Sequence, residues 1–201
     1  MPKGSLYPET VRRLAAAGIV VPENPGRRLV VPSLDGSADL LLLRATDVPA
    51  YVEFGAADCG IVGKDTLWES DRSVAELADL GFGGCRLVVA GRRADGYQDG
   101  ARYPTFLRVA TKFARSAQTY FSERDLPCEI VALHGSVELA PIVGLADVIV
   151  DLVATGSTLE AHDMVEIDQI GVSTARFVVN QVRFRAKYDA ITSLLRRLEN
   201  A

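Results

Sequence analysis

The sequence predicts an α/β protein. Short β-rich runs alternate along the chain with segments of helical spacing. About half of the 201 residues are apolar, which is enough for a real core. Several apolar runs pass directly into glycine-bearing turns and then into a helix start, the arrangement that places ligands at strand ends. A chain of this length forms one compact domain or two small lobes.

Taken in order, Pro8 to Ala17 reads as a helix. Pro8 suits its first turn, Val11, Leu14 and Ala15 share a face, and Gly18 closes its end. Leu29–Val31 and Leu40–Leu43 read as strands. Thr46 to Phe54 reads as a short helix with Thr46 or Asp47 as cap and Pro49 in its first turn. Cys59–Val62 is a short buried strand, and Val74–Leu80 reads as helical. Arg86–Ala90 is a strand, residues 91–102 a polar loop, Leu107–Thr111 a strand followed by a helix near 115–124. Cys128–Leu133 is a strand, and Ser136 caps a helix that ends near Gly144. Val148–Val150 is a strand opening into a loop, Phe177–Val179 another strand, and Val182–Leu198 a basic helical pattern. The stretches 79–86 and 171–174 are the candidate crossings between lobes.

Composition removes several function classes. The net charge of −4 speaks against nucleic acid as the main partner, because duplex binding normally shows as a basic surplus. The apolar run 145–154 is broken by Asp147 and Asp151 and falls short of the roughly 18–20 residues of a membrane span. The first residues, Met1-Pro2-Lys3-Gly4-Ser5, carry no apolar leader, so a cytoplasmic location is expected. Cys59, Cys85 and Cys128 lack C-x-x-C spacing and read as free thiols. His134 and His162 are too few for a zinc cluster, and no set of protein metal ligands can be read from the pattern.

Four segments carry possible chemistry. The sharpest runs from Val148 through Asp151 to Leu159. A buried strand meets the small turn Ala154-Thr155-Gly156-Ser157-Thr158, where glycine lets the backbone approach a ligand and hydroxyls and free N–H groups favour an anion. Asp151 at the strand end suits ribose hydroxyls or a magnesium ion. The plainer reading is an ordinary strand–turn–helix with Thr155 or Ser157 as cap. The second segment is Lys3-Gly4-Ser5, a cation and a glycine before the first helix, or simply a solvated terminus. The third, Gly55 to Asp65, contains Asp58 and brings Gly63-Lys64 out at a strand end; it lacks the order of a Walker P-loop. The fourth is Gly135-Ser136-Val137-Glu138, either a well-capped helix start or a helix start set against a phosphate or nucleotide. Arg27, Arg28 and Arg44 flank apolar strands as further cations.

Together these segments resemble the ATP phosphoribosyltransferase family, in order and over nearly the whole chain. Pro2-Lys3-Gly4 resembles the opening P-K-G motif. Arg44 to Val52 is similar to R-x-x-D-[IV]-P-x-Y-V, and Gly55–Leu67 to G-x-x-D-x-G-[IV]-x-G-[KR]-D-x-L. Leu80–Leu87 resembles the entry into the second lobe. Arg108-Val109-Ala110-Thr111-Lys112 and Gly135–Ala140 resemble R-[IV]-A-T and G-S-V-E-[LV]-A. Gly144-Leu145-Ala146-Asp147 leads into Asp151–Leu159, which is similar to the family's phosphoribosyl pyrophosphate loop. Three departures stand out. Ser5 occupies a position often held by arginine, and Phe113 one often held by tyrosine. The apolar strand that usually precedes P-K-G is missing, so either the start is set too late or the first sheet has one strand fewer.

The resemblance implies a two-lobed fold like the type II periplasmic binding proteins, with the active site in the interlobe cleft. Lobe one would be 1–84 with 172–201, and lobe two 85–171. It implies the short form of the enzyme, joining ATP through adenine N1 to phosphoribosyl pyrophosphate in the first step of histidine biosynthesis. Asp151, Ala154, Thr155, Gly156, Ser157 and Thr158 would bind phosphoribosyl pyrophosphate. Lys3 and Arg27 would face the leaving group, and Arg44, Asp58, Lys64 and Glu138 the nucleotide or polyphosphate. Mg2+ would arrive bound to substrate. A homodimeric core would join a histidyl-tRNA-synthetase-like regulatory subunit in a hetero-octamer. The rival classes are a solute-binding or effector-sensing module of the same architecture and a type I phosphoribosyltransferase. The latter usually carries two adjacent acids where Leu152 follows Asp151 here.

Overall fold

The computed structural model describes residues 1–23, 28–97 and 103–201. Arg27 and the tip of the 91–102 loop lie outside the described residues. In chain order the elements begin with β1 (Pro2–Lys3), α1 (Tyr7–Ala16), β2 (Val30–Pro32), β3 (Asp39–Leu41) and β4 (Leu43–Arg44). A 3-10 turn at Ala45–Asp47 leads into α2 (Val48–Glu53), β5 (Cys59–Gly63), α3 (Lys64–Glu69), β6 (Ala75–Asp79) and β7 (Cys85–Arg92). After a second 3-10 turn come β8 (Leu107–Thr111), α4 (Ala114–Ser122), β9 (Cys128–Ala132), α5 (Leu139–Ile142) and β10 (Val148–Val153). The chain ends with α6 (Ser157–Ala161), β11 (Met164–Ser173), β12 (Ala175–Val179), α7 (Gln181–Ala186) and α8 (Tyr188–Glu199). Among the described residues no helix is long and apolar enough to cross a membrane.

The chain divides into two compact units, Met1–Gly84 with Thr174–Ala201, and Cys85–Ser173. The return crossing lies two residues later than the sequence suggests, because β11 stays paired to β7 as far as Ser173↔Cys85.

In unit 1, β12 is the centre of an antiparallel sheet ordered β5-β12-β6. β1 pairs in parallel with β4, setting Lys3 opposite Arg44. The core gathers Leu14, Ile19, Phe177, Ile191 and Leu198, all buried. A second cluster, Val48, Val52, Val62 and Val178, packs α2 on the sheet. Gly60 permits this approach: a Cβ there would stand 2.7 Å from the Val48 side chain. Asn180 accepts from the N–H groups of Val182 and Arg183 and donates to the carbonyls of Val52 and Glu53, so one side chain both caps α7 and ties it to the end of α2.

Unit 2 is a five-stranded sheet ordered β11-β7-β10-β8-β9. β8, β9 and β10 run parallel, and β7 is antiparallel to both of its neighbours. β7 and β10 read as continuous apolar runs because both faces of the sheet are covered. The bases of β8 and β10 are clamped together. Arg108 reaches Asp147 with two guanidinium bonds of 2.8 and 3.3 Å and donates its backbone N–H to the same carboxylate. A further bond runs from Arg108 to the Gly144 carbonyl. The arginine of R-V-A-T and the aspartate of G-L-A-D are therefore one structural pair.

Several expectations are corrected. Val74–Leu80 is not a helix. Seven residues cannot hold a helix unaided, and pairing with β12 makes Ala75–Asp79 a strand, its Glu76 and Asp79 bound to Arg176. Ser136 is not the cap of α5; it stands at φ +48 one turn earlier, and Glu138 is the residue before the helix. β10 runs to Val153, so Asp151 lies inside the strand and not after its end. The basic C-terminal pattern breaks at Lys187 into two helices. β11, ten residues long, was not foreseen, because two bulges interrupt its alternation.

The Arg108–Asp147 clamp has a pH signature. Hydrogen bonding to Arg108 holds the Asp147 carboxyl below the usual carboxylate range. Its contribution is therefore full above the unfolded pKa of about 3.9 and fades as pH falls through the lower folded value. Asp147→Asn should cost about 1–2 kcal/mol in urea unfolding at pH 7, the partial exposure of the pair setting the lower end. The gap between variant and parent should narrow steadily below pH 4.

Candidate active site

The site is built where β8 ends against β10, three residues before β10 itself ends. Register sets Val150 opposite Thr111. Thr111 is fully buried; its hydroxyl donates to the Val150 carbonyl at 2.7 Å and accepts the Phe113 N–H at 2.8 Å. That bridge locks the end of β8 to the middle of β10, one residue before Asp151. The next residues on each strand then meet: Lys112 Nζ stands 3.1 Å from Asp151 Oδ1. The same Nζ also lies 5.1 Å from the centre of the Phe113 ring, a cation–π contact.

Beyond Val153 the chain turns through Ala154-Thr155-Gly156 into α6. Gly156 sits at φ +88, a conformation that disfavours any side chain, and a Cβ there would meet nothing within 4 Å. The turn's open side is thus free for a ligand. Thr155 Oγ1 and Ser157 Oγ are 3.1 Å apart, converging hydroxyls at the first turn of α6. A pocket of about 210 Å3 is lined by Glu138, Asp151 and every residue from Leu152 to Leu159, together with Ile149. The structure therefore brings together seven of the residues singled out in the sequence: Asp151, Ala154, Thr155, Gly156, Ser157, Thr158 and Glu138.

A second pocket, about 410 Å3, opens at the opposite ends of the same strands, beside Arg92, Asp95, Arg108 and Asp147. It is larger, yet both of its arginines are committed to those two aspartates. It also lies at the amino ends of the parallel strands, whereas ligands of such sheets bind at the carboxyl ends.

The remaining candidates lie in unit 1. Lys3 and Arg44 are neighbours across β1 and β4, both exposed and without an ion-pair partner among the described residues. Asp58 pairs with Lys187 at 2.8 Å and with Arg183 at 3.8 Å. Lys64 opens α3 and pairs with Glu76 at 2.5 Å. Arg27 lies outside the described residues. Lys112 was missed as a site residue; its signal was its place directly after R-V-A-T.

The family model described as ATP phosphoribosyltransferase matches residues 44–200. The chain belongs to the ATP phosphoribosyltransferase family. An ATP phosphoribosyltransferase of Moorella thermoacetica is 48% identical over all of this chain and 91% of its own length. One from Synechococcus sp. RCC307 is 44% identical over 99% of this chain and 95% of its own length. In structure the chain is similar to the ATP phosphoribosyl transferase (HisG:HisZ) complex from Thermotoga maritima, with a TM-score of 0.85 and 34% identity over 99% of this chain and 94% of that one. Tv2483 bound to L-arginine shares 14% identity, a TM-score of 0.56 and 80% of this chain against 67% of that one. The Bordetella pertussis BvgS VFT2 domain shares 11% identity, a TM-score of 0.59 and 98% of this chain against 78% of that one. These two show the two-lobed binding-protein fold alone. Near full-length agreement with ATP phosphoribosyltransferases sets aside the solute-binding and type I readings.

The Thr111 bridge sets the geometry of the site, and its loss should be measurable. Thr111→Val leaves the Phe113 N–H without its acceptor and should cost about 1–3 kcal/mol in urea unfolding. Thr111→Ser keeps the hydroxyl and should lose less than half of that.

Proposed function

We propose that the Ala154–Thr158 turn seats the 5-phosphate of phosphoribosyl pyrophosphate and that Asp151 receives the ribose hydroxyls. The enzyme condenses ATP with phosphoribosyl pyrophosphate, the opening step of histidine biosynthesis. The observation that carries the site assignment is the shared pocket. Asp151, Glu138 and the hydroxyl turn line one concavity at the carboxyl ends of parallel strands, beside a glycine whose side-chain direction is open.

In this reading adenine N1 attacks C1 of the ribose with inversion while pyrophosphate leaves. Both substrates are polyanions, so positioning and charge neutralisation supply most of the rate. Backbone N–H groups and the hydroxyls of Thr155, Ser157 and Thr158 hold the phosphate end. Lys3, Arg27 and Arg44 supply positive charge to the polyphosphates. Asp58 and Lys64, paired with Lys187 and Glu76 around β5, are assigned with Glu138 to the nucleotide or polyphosphate. Magnesium is assigned to the oxygens of the pyrophosphate, the hard, dense charge it favours. The pocket's Asp151 is already paired with Lys112.

The likeness to a HisG:HisZ complex supports a HisZ-like regulatory partner. We assign to this chain a homodimeric core, a hetero-octamer with that partner, and a place in the cytoplasm. Light scattering of the chain alone and mixed with a HisZ-like subunit tests the assembly; failure to form a larger complex would remove it.

Gly156→Val tests the turn. The substitution fills the open side and should reduce phosphoribosyl-ATP formation, followed by absorbance, by about 100-fold or more, consistent with blocked positioning. Gly36→Val is the control for backbone strain, since Gly36 also has a left-handed φ, +69, with nothing within 4 Å. Normal turnover by Gly156→Val, or equal loss in both variants, would remove the turn from the site.

A further inference from the structure

We infer that Lys112 is a positioning residue for the sugar: it holds one oxygen of Asp151 so that the other is presented to the ribose hydroxyls. The proposal rests on the reading of Asp151 as the ribose ligand and goes further, since Lys112 acts through that carboxylate.

Four observations support it. Lys112 and Asp151 follow directly on the residues joined by the buried Thr111 bridge, so the two are held at one level. Asp151 Oδ1 is doubly engaged, by Lys112 Nζ at 3.1 Å and by the Leu152 N–H at 2.8 Å. Oδ2 has no partner among the described residues. The side chain of Asp151 is 16% exposed and lines the pocket, and that of Lys112 is 42% exposed.

A carboxylate is a good acceptor for vicinal hydroxyls only if it is ionised and fixed in orientation. An unheld aspartate would rotate about its terminal torsion, which is broad and soft. The ion pair and the backbone hydrogen bond, both at Oδ1, restrict that freedom. The same pairing also makes Asp151 a poor cation ligand, because a metal would have to displace an ammonium or share its charge. Lys112 thereby directs Asp151 toward hydroxyls and away from magnesium.

The test uses the full chain with Mg2+ and phosphoribosyl pyrophosphate titrated by calorimetry, and turnover measured with a HisZ-like subunit present. Lys112→Met keeps the stem and removes the charge. It should weaken phosphoribosyl pyrophosphate binding about tenfold, within the range of coupled neighbours, and leave ATP affinity within about twofold. Lys112→Arg should restore binding to within about threefold of the parent, and Lys112→Gln, the second neutral variant, should behave like the methionine. In a double-mutant cycle, Lys112→Met should add less than about twofold to Asp151→Asn, whereas its effect should multiply with that of Gly156→Val. Full multiplication on the Asp151→Asn background, or parental binding by Lys112→Met, would overturn the proposal. Should Asp151→Asn itself bind phosphoribosyl pyrophosphate like the parent, the ribose assignment falls and this proposal with it. If Asp151→Asn weakens binding and Lys112→Met does not, only the role of Lys112 falls.

Discussion

The architecture of the pocket depends on the parallel pairing of β8 with β10. One buried hydroxyl, that of Thr111, ties the carboxyl end of β8 to the middle of β10, and one ion pair, Arg108–Asp147, clamps their amino ends. Between these two ties the strands are apolar and fully packed, with Val109, Ala110, Val148, Ile149 and Val150 all inaccessible to solvent. Hydrophobic burial supplies the driving force but is indifferent to register. The directional bonds at both ends choose it. A slip of one residue would put Asp151 on the wrong face and separate it from Lys112.

Charge is used in two ways along this chain. Most of its cations are tied to carboxylates: Arg108 to Asp147, Arg176 to Glu76 and Asp79, Lys187 to Asp58. These pairs organise strands and helix ends and leave little net field. Lys3 and Arg44 stand apart, exposed on paired strands and uncommitted among the described residues. In an acidic protein that acts on polyanions, such uncommitted cations carry local attraction that the net charge conceals.

Much of the fold was legible because its local signals agree. Leu107–Thr111 was read at its observed bounds, and the strands at 59, 128 and 148 begin where expected, since β-branched runs there are bounded by polar turns. The misreadings share a cause. Ala75–Asp79 contains good helix formers and becomes a strand only because β12 offers it a partner. β11 carries bulges that erase its period, and its shape is held from outside, where the Tyr120 hydroxyl of α4 donates to Asp168. No glycine or proline marks the break at Lys187, whose ammonium is drawn to Asp58. Each of these is a long-range pairing written in two distant places at once.

The sequence by itself determined the α/β class, the family, and the glycine-and-hydroxyl turn after β10, because a strand, a glycine and a run of hydroxyls are neighbours along the chain. The tertiary structure alone decided which charged residues are bound to one another. It paired Arg108 with Asp147, Lys64 with Glu76 and Asp58 with Lys187, and set Lys112 against Asp151. The physical reason is distance. Local backbone geometry is set by adjacent residues, whereas an ion pair forms between groups 39 or 129 positions apart only after the sheet has brought them within a few ångströms.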